Sequence, residues 1–179
     1  MHKSVPAVII AALLLSGCAS APEPTATPSS IPSPTSAAPS DSPVASGETG
    51  ITVTGELGAK PEINIPDEFR GVDALVVNDI VEGTGAAVQA TDNVTVNYVG
   101  IGGASHAQFD ASWDANTTAS FPLNGVILGW QQGLVGMKVG GRRLLVIPGD
   151  LAYGANAPAG SGIAANETLV FVVDLVSIP

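Results

Sequence analysis

At 179 residues, with 45% apolar and 12% charged, the chain is long enough to bury one ordinary core and carry appendages. A net charge of -10, with six Lys and Arg in all, argues against a nucleic-acid partner and against electrostatic docking on anionic lipid. One cysteine, Cys18, and two histidines, His2 and His106, exclude an internal disulfide, a Cys/His zinc centre and a Cys–His nucleophilic pair, and no spacing supports a carboxylate metal site.

The chain starts with a short basic stretch, Met1-His2-Lys3, followed by an apolar run from Val5 to Leu15. That run is too short for a bilayer, which needs ~20 residues, and fits the apolar region of a signal peptide. It ends Leu15-Ser16-Gly17-Cys18, which resembles the lipobox of bacterial lipoproteins. The resemblance implies that residues 1–17 are removed, that Cys18 becomes a thioether-linked lipid carrier, and that the new N-terminus is acylated (palmitate). Several acyl chains anchor stably where one is marginal. The expected location is the extracytoplasmic face of the cell membrane, contacted through the lipid only.

Residues 18–50 are almost wholly Ala, Pro, Ser, Thr and Gly, and seven of the fourteen prolines lie between Pro22 and Pro43. Such a segment cannot bury enough apolar area to offset its ordering entropy, so a disordered, semi-rigid spacer is expected. From Ile51 the texture changes. Ile51 to Leu57 alternates with the period of a half-buried strand, and Pro61 and Pro66 bracket an extended piece, Glu62 to Ile65. Residues 51–71 are therefore read as an extended N-terminal strand segment and residues 72–179 as the domain proper.

Within that domain, Leu75 to Val81 reads as a strand, and Val94, Val96 and Tyr98 alternate with polar residues in another. Gly102-Gly103 suggests a hairpin turn before Gln108-Phe109-Asp110. Trp130 to Met137 is predicted as a short helix ended by Gly140-Gly141, and Arg142 to Ile147 and Thr168 to Ile178 as strands. The fold class is α+β, a curled antiparallel sheet on one short helix. Asp92, Asp114 and Asp174 read as solvated or structural, and His106 as an exposed loop residue.

The stretch from Gly129-Trp130-Gln131-Gln132-Gly133 through Met137-Lys138-Val139-Gly140-Gly141-Arg142-Arg143 is very similar to the FKBP-type peptidyl-prolyl cis-trans isomerases. So are Val96-Asn97-Tyr98-Val99-Gly100, Phe109-Asp110-Ala111-Ser112, Ile147 to Gly154 and Thr168 to Leu175, in family order. The resemblance implies a sheet of five or six strands around the helix, with no cofactor or metal. It places Trp130 at a pocket floor, with Tyr98, Phe109 and Phe171 as aromatic walls and Val126, Ile127 and Ile163 as aliphatic lining. Ala152 completes the wall. The Ile127 backbone N–H and the Tyr153 hydroxyl would donate to substrate carbonyls, and Asp110 would accept a hydrogen bond beside Tyr98.

Those residue types suit the reaction. An X–Pro amide isomerises slowly because resonance sets a barrier of ~18–20 kcal/mol. Twisting the bond removes that resonance and its dipole, so a dry aromatic pocket with aimed donors favours the twisted state. The departures from the family lie at the rim: Ala115 and Ala119 stand where many relatives have an arginine and an aromatic, and Gly125 and Gly162 where others have an acidic and an aliphatic residue. Retained catalysis, altered substrate preference and weaker macrolide binding are expected. The implied role is isomerisation of unfolded or Pro-containing exported polypeptides by a monomer. The alternative is a non-catalytic module binding a Pro-containing partner.

Overall fold

The computed structural model describes residues 49–179 and the strand Val44–Ala45. The expected signal peptide, Cys18 and most of the expected spacer lie outside the described residues. Nine strands are described: β1 (Val44–Ala45), β2 (Thr52–Thr54), β3 (Glu62–Asn64), β4 (Val76–Val81), β5 (Asn93–Gly102), β6 (Gln108–Ala111), β7 (Ala119–Pro122), β8 (Arg142–Ile147) and β9 (Leu169–Ser177). One α-helix, α1, spans Leu128–Gly133, and short 3₁₀ turns cover Ser112–Ala115, Leu123–Gly125 and Gly149–Leu151. The curled α+β architecture expected from sequence is present.

Two sheets form. The larger has the order β4-β8-β9-β5-β6, with β7 also paired to β5, and every pairing is antiparallel. The smaller has the order β1-β2-β3. In β8 every residue is buried, and so are the first seven of β9, which is why Leu144 to Ile147 and Leu169 to Val173 read as continuous apolar runs instead of alternating ones.

Both faces of this central pair are covered. Leu145, Ile147, Leu169, Phe171 and Val173 face Trp130, Leu134 and Met137 on the helix side. Leu144, Val146, Val170 and Val172 face Ile51, Val53 and Ile65 on the other. The period of two assigns each residue to its layer. The segment 51–71 is thus the second cover of the sheet.

Arg142 and Asp174 are cross-strand partners on that second face. The guanidinium is 1% exposed and grips the carboxylate twice, Nε to Oδ1 at 2.5 Å and an Nη to Oδ2 at 2.8 Å. It also donates to the carbonyls of Gly55 (2.8 Å) and Ala59 (2.7 Å), while the Gly58 N–H donates to Asp174 (2.9 Å). This explains why β2 stops at Thr54 although alternation runs to Leu57. Gly55 takes φ +102° and the chain turns to aim its carbonyls at Arg142. Asp174, read as solvated or structural, is structural.

The helix also differs from expectation. It starts at Leu128, because the Ile127 carbonyl accepts from both Trp130 (3.0 Å) and Gln131 (3.2 Å) N–H groups. It ends at Gly133, well before Met137, because Gly136 adopts φ +80° and donates instead to the Val88 carbonyl (2.9 Å). Arg143, next to Arg142 but on the helix side of β8, donates to the Gly133 carbonyl (2.7 Å) and pairs with Asp79 (2.6 and 2.7 Å). One of the free carbonyls at the helix end is thereby satisfied.

A third clasp is Glu167, 7% exposed, whose carboxylate accepts from the N–H groups of Ala104 (3.1 Å), Ser105 (3.0 Å) and Ala164 (2.7 Å). Burial pushes its pKa up, but these three donors outweigh it and hold the carboxyl below the usual glutamate range.

Two outcomes are expected of the fold. Arg142→Ala leaves Asp174 buried without its cation and lowers stability by about 3–5 kcal/mol, read from urea unfolding, whereas Arg142→Met combined with Asp174→Leu recovers most of that loss. Glu167 has a depressed folded pKa, so its contribution is complete above the ordinary glutamate value of about 4.3 and is lost as pH falls through the lower folded value. The stability gap between wild type and Glu167→Gln should therefore be constant near neutrality and close in that acidic window.

Candidate functional site

A cavity of about 310 Å³ opens between α1, β5, β6 and β9. Its floor and walls are Tyr98, Phe109, Phe121, Trp130 and Phe171, and Gly125, Val126, Ile127, Asp110 and Tyr153 complete the lining. These residues come from five separate segments of the chain.

The floor is set by how closely α1 lies on β8. A Cβ at Gly129 would collide with Ile147, and one at Gly133 would come within 2.7 Å of Leu145 Cδ2. Glycine at both positions lets the helix backbone rest on those side chains, and Trp130, 4% exposed, belongs to the same core. The Gln131 side chain donates to the Val126 carbonyl (2.8 Å), which fixes the Val126-Ile127 lip above the floor.

The rings pack edge to face. Trp130 meets Tyr98 at 5.5 Å and 86°, Phe121 at 5.8 Å and 89°, and Phe171 at 5.3 Å and 83°. Phe109 meets Phe171 at 5.5 Å and 86°. This is the arrangement the aromatic quadrupole prefers, worth ~0.5–1.5 kcal/mol per pair beyond area burial. Gly100 makes room for it, since a Cβ there would lie 2.6 Å from Phe109 and 2.8 Å from Phe171. The Trp130 indole N–H is buried without an acceptor among the described residues.

Polar groups gather at one side of the mouth. The Tyr98 hydroxyl donates to Asp110 Oδ2 at 2.5 Å. Burial, and then the bond to Asp110, pushes the Tyr98 pKa far above its ordinary value, so the phenol stays protonated and its single O–H is committed to the carboxylate. The Tyr98 backbone N–H is held by Ser112 Oγ (2.9 Å), at the start of the turn that follows Asp110. With Tyr98 committed, Tyr153 is the hydroxyl on the lining that is left to serve a ligand.

Of the residues singled out from sequence, Tyr98, Phe109, Asp110, Val126, Ile127, Trp130, Tyr153 and Phe171 converge on the cavity. Ala152 and Ile163 are not among the residues lining it; both are partly buried against the same hydrophobic core. Phe121 is a wall residue that the sequence reading passed over. The signal was present: on β7 the burial pattern alternates, so Phe121 shares the inward face with Ala119 two residues earlier. Ala115 and Gly162 are exposed, and His106 is an exposed turn residue at φ +54°.

Comparison with known proteins gives a consistent result. The family described as FKBP-type peptidyl-prolyl cis-trans isomerase matches residues 85–176. A Streptomyces anulatus protein named FK506-binding protein is 48% identical over 121 residues, covering 66% of this chain and 97% of that one. The FKBP-type peptidyl-prolyl cis-trans isomerase FkpA of Escherichia coli K12 is 45% identical over 107 residues, covering 58% of this chain and 37% of that one. The crystal structure of FkpA from Escherichia coli superposes with a TM-score of 0.55 at 40% identity, covering 61% of this chain and 50% of that one. The cavity lies wholly inside the matched stretch, which is more than half of the sequence, and the chain belongs to the FKBP-type peptidyl-prolyl cis-trans isomerase family.

Proposed function

We propose that the chain is a lipid-anchored, extracytoplasmic prolyl isomerase that speeds the folding of exported polypeptides. The observation that carries the catalytic part is the cavity itself: a mainly apolar space walled by edge-to-face rings, with Asp110 and Tyr153 among its few polar side chains. The prolyl ring would rest on Trp130 between Tyr98, Phe109, Phe121 and Phe171. Planar amide carries a large dipole that such surroundings solvate poorly; the twisted amide carries less and is relatively favoured. The Ile127 N–H and the Tyr153 hydroxyl would hold the flanking carbonyls while the bond turns. Asp110, kept in place by Tyr98, presents its carboxylate at the same mouth. No bond is made or broken, so no nucleophile is called for.

The extracytoplasmic part rests on Leu15-Ser16-Gly17-Cys18 and the Pro-rich stretch after it. Exported chains arrive unfolded and their X–Pro bonds equilibrate over tens to hundreds of seconds, so a tethered isomerase beyond the membrane would act on a slow step of folding. The rim at Ala115, Ala119 and Gly162 is small, which favours tolerance of varied residues around the proline and weaker macrolide binding than in relatives with fuller rims.

Two measurements test these parts separately. In an NMR-exchange or protease-coupled assay on an X–Pro peptide, the protein should exceed the uncatalysed rate. Tyr153→Phe should then lower kcat/KM roughly two- to tenfold, as expected for one neutral hydrogen bond. Trp130→Leu should lower it as well. Peptide binding without acceleration would support the non-catalytic module instead. The full chain should partition with membranes on cell fractionation and take up a labelled fatty acid, and Cys18→Ala should abolish the label; a Cys18→Ala chain that is still labelled would remove the lipid anchor from the proposal.

A further inference from the structure

Glu167 touches no part of the cavity, yet it joins the segments that build it. Its Oε1 accepts from Ala104 and Ser105 in the loop between β5 and β6, the strands that carry Tyr98, Phe109 and Asp110. Its Oε2 accepts from Ala164, at the end of the loop that starts after Tyr153 and holds Ile163. Glu167 itself lies two residues before β9, which carries Phe171.

The surroundings are built to receive this carboxylate. A Cβ on Gly102 would lie 2.5 Å from Glu167 Oε1, so glycine there leaves the oxygen its place. Asn166 adopts φ +58° and donates to the Gly154 carbonyl (2.7 Å), closing the base of the Tyr153 loop beside the clasp. The Gly103 N–H donates to the Thr168 carbonyl (2.8 Å), tying the other loop to the start of β9. Hydrogen bonds from neutral N–H groups to a buried carboxylate are about twice as strong as neutral ones, so the loops are held at a set separation.

We propose that Glu167 is a positioning residue for the isomerase cavity: its carboxylate spaces the β5–β6 loop from the Tyr153 loop, and so sets the width of the mouth between Asp110 and Tyr153. This rests on the isomerase reading of the cavity. A mouth of set width acts on substrate capture more than on the twisting step at the floor, which fixes how the loss should divide.

The test measures KM and kcat separately, by NMR lineshape or exchange on an X–Pro peptide, for wild type, Glu167→Gln and Val53→Ala. Glu167→Gln should raise KM roughly three- to tenfold with kcat changed less than about twofold. Val53→Ala, which thins the core on the opposite face of the sheet, should lower stability and leave both constants unchanged. A wild-type KM in Glu167→Gln overturns the proposal, and so does an equal rise in KM in Val53→Ala, which would make the effect one of stability alone. If Glu167→Gln fails to fold, Glu167→Asp keeps the charge on a stem one methylene shorter. A partial rise in KM supports the clasp there, and an unchanged KM overturns it. A wild-type rate equal to the uncatalysed one would sink the isomerase reading instead.

Discussion

Arg142 and Arg143 are adjacent on β8, and the two-residue period of a strand sends them to opposite faces of the same sheet. Arg142 reaches into the N-terminal segment and, with Asp174, closes the turn from Gly55 to Ala59. Arg143 reaches the end of α1 and holds the Gly133 carbonyl. Both guanidiniums are nearly buried, at 1% and 8% exposed, so each requires its acceptors in place. Between them the two side chains pin a cover to each face of the central strands. The cavity depends on this arrangement, because its floor residue sits on the helix that Arg143 fixes.

The cavity is in turn a packing solution before it is a chemical one. Glycine at 129 and 133 brings α1 down onto Ile147 and Leu145, and glycine at 100 admits Phe109 and Phe171 above β5. The rings then meet edge to face around Trp130. What remains open is a mainly apolar volume, with Asp110, Tyr153 and the Tyr98 hydroxyl among its polar lining. A reaction whose transition state is less polar than its ground state suits such a place. Tyr98 illustrates the division of labour, since its hydroxyl is spent on Asp110 and its ring on the wall.

Much of this was legible in the sequence, and the failures have physical causes. Strands β4, β5, β8 and β9 follow from alternation or from β-branched runs between turns. The helix was misplaced toward Met137 because apolar spacing continues past Gly133, whereas the chain leaves the helix when the Gly136 N–H finds Val88. Ile163 and Ala152, which the family likeness puts on the wall, pack on the same core without lining the cavity. Phe121 is not singled out by the family motifs quoted from the sequence, and it is the pleat of β7 that puts its ring on the inward face with Ala119. Asn116 and Asn166, each opening an Asn-x-Thr triplet, stand at left-handed backbone positions, φ +51° and +58°, where asparagine is favoured.

By itself, the sequence determined the class of fold and the order of the strands along the chain, through periodicity and turn chemistry, and most of the residues around the cavity, through its likeness to the FKBP-type family. Tertiary structure alone decided which charges are buried and against what. Asp174 stands inside an apolar strand and Asp114 in a short 3₁₀ turn, but neither neighbourhood names a partner: one is sealed with Arg142 beneath the Gly55–Ala59 turn and the other lies exposed beside Lys60. The same holds for Glu167, whose three partners lie in loops at 104, 105 and 164. Pairings of this kind join residues distant in the chain, and only the closed sheet brings them within hydrogen-bonding reach.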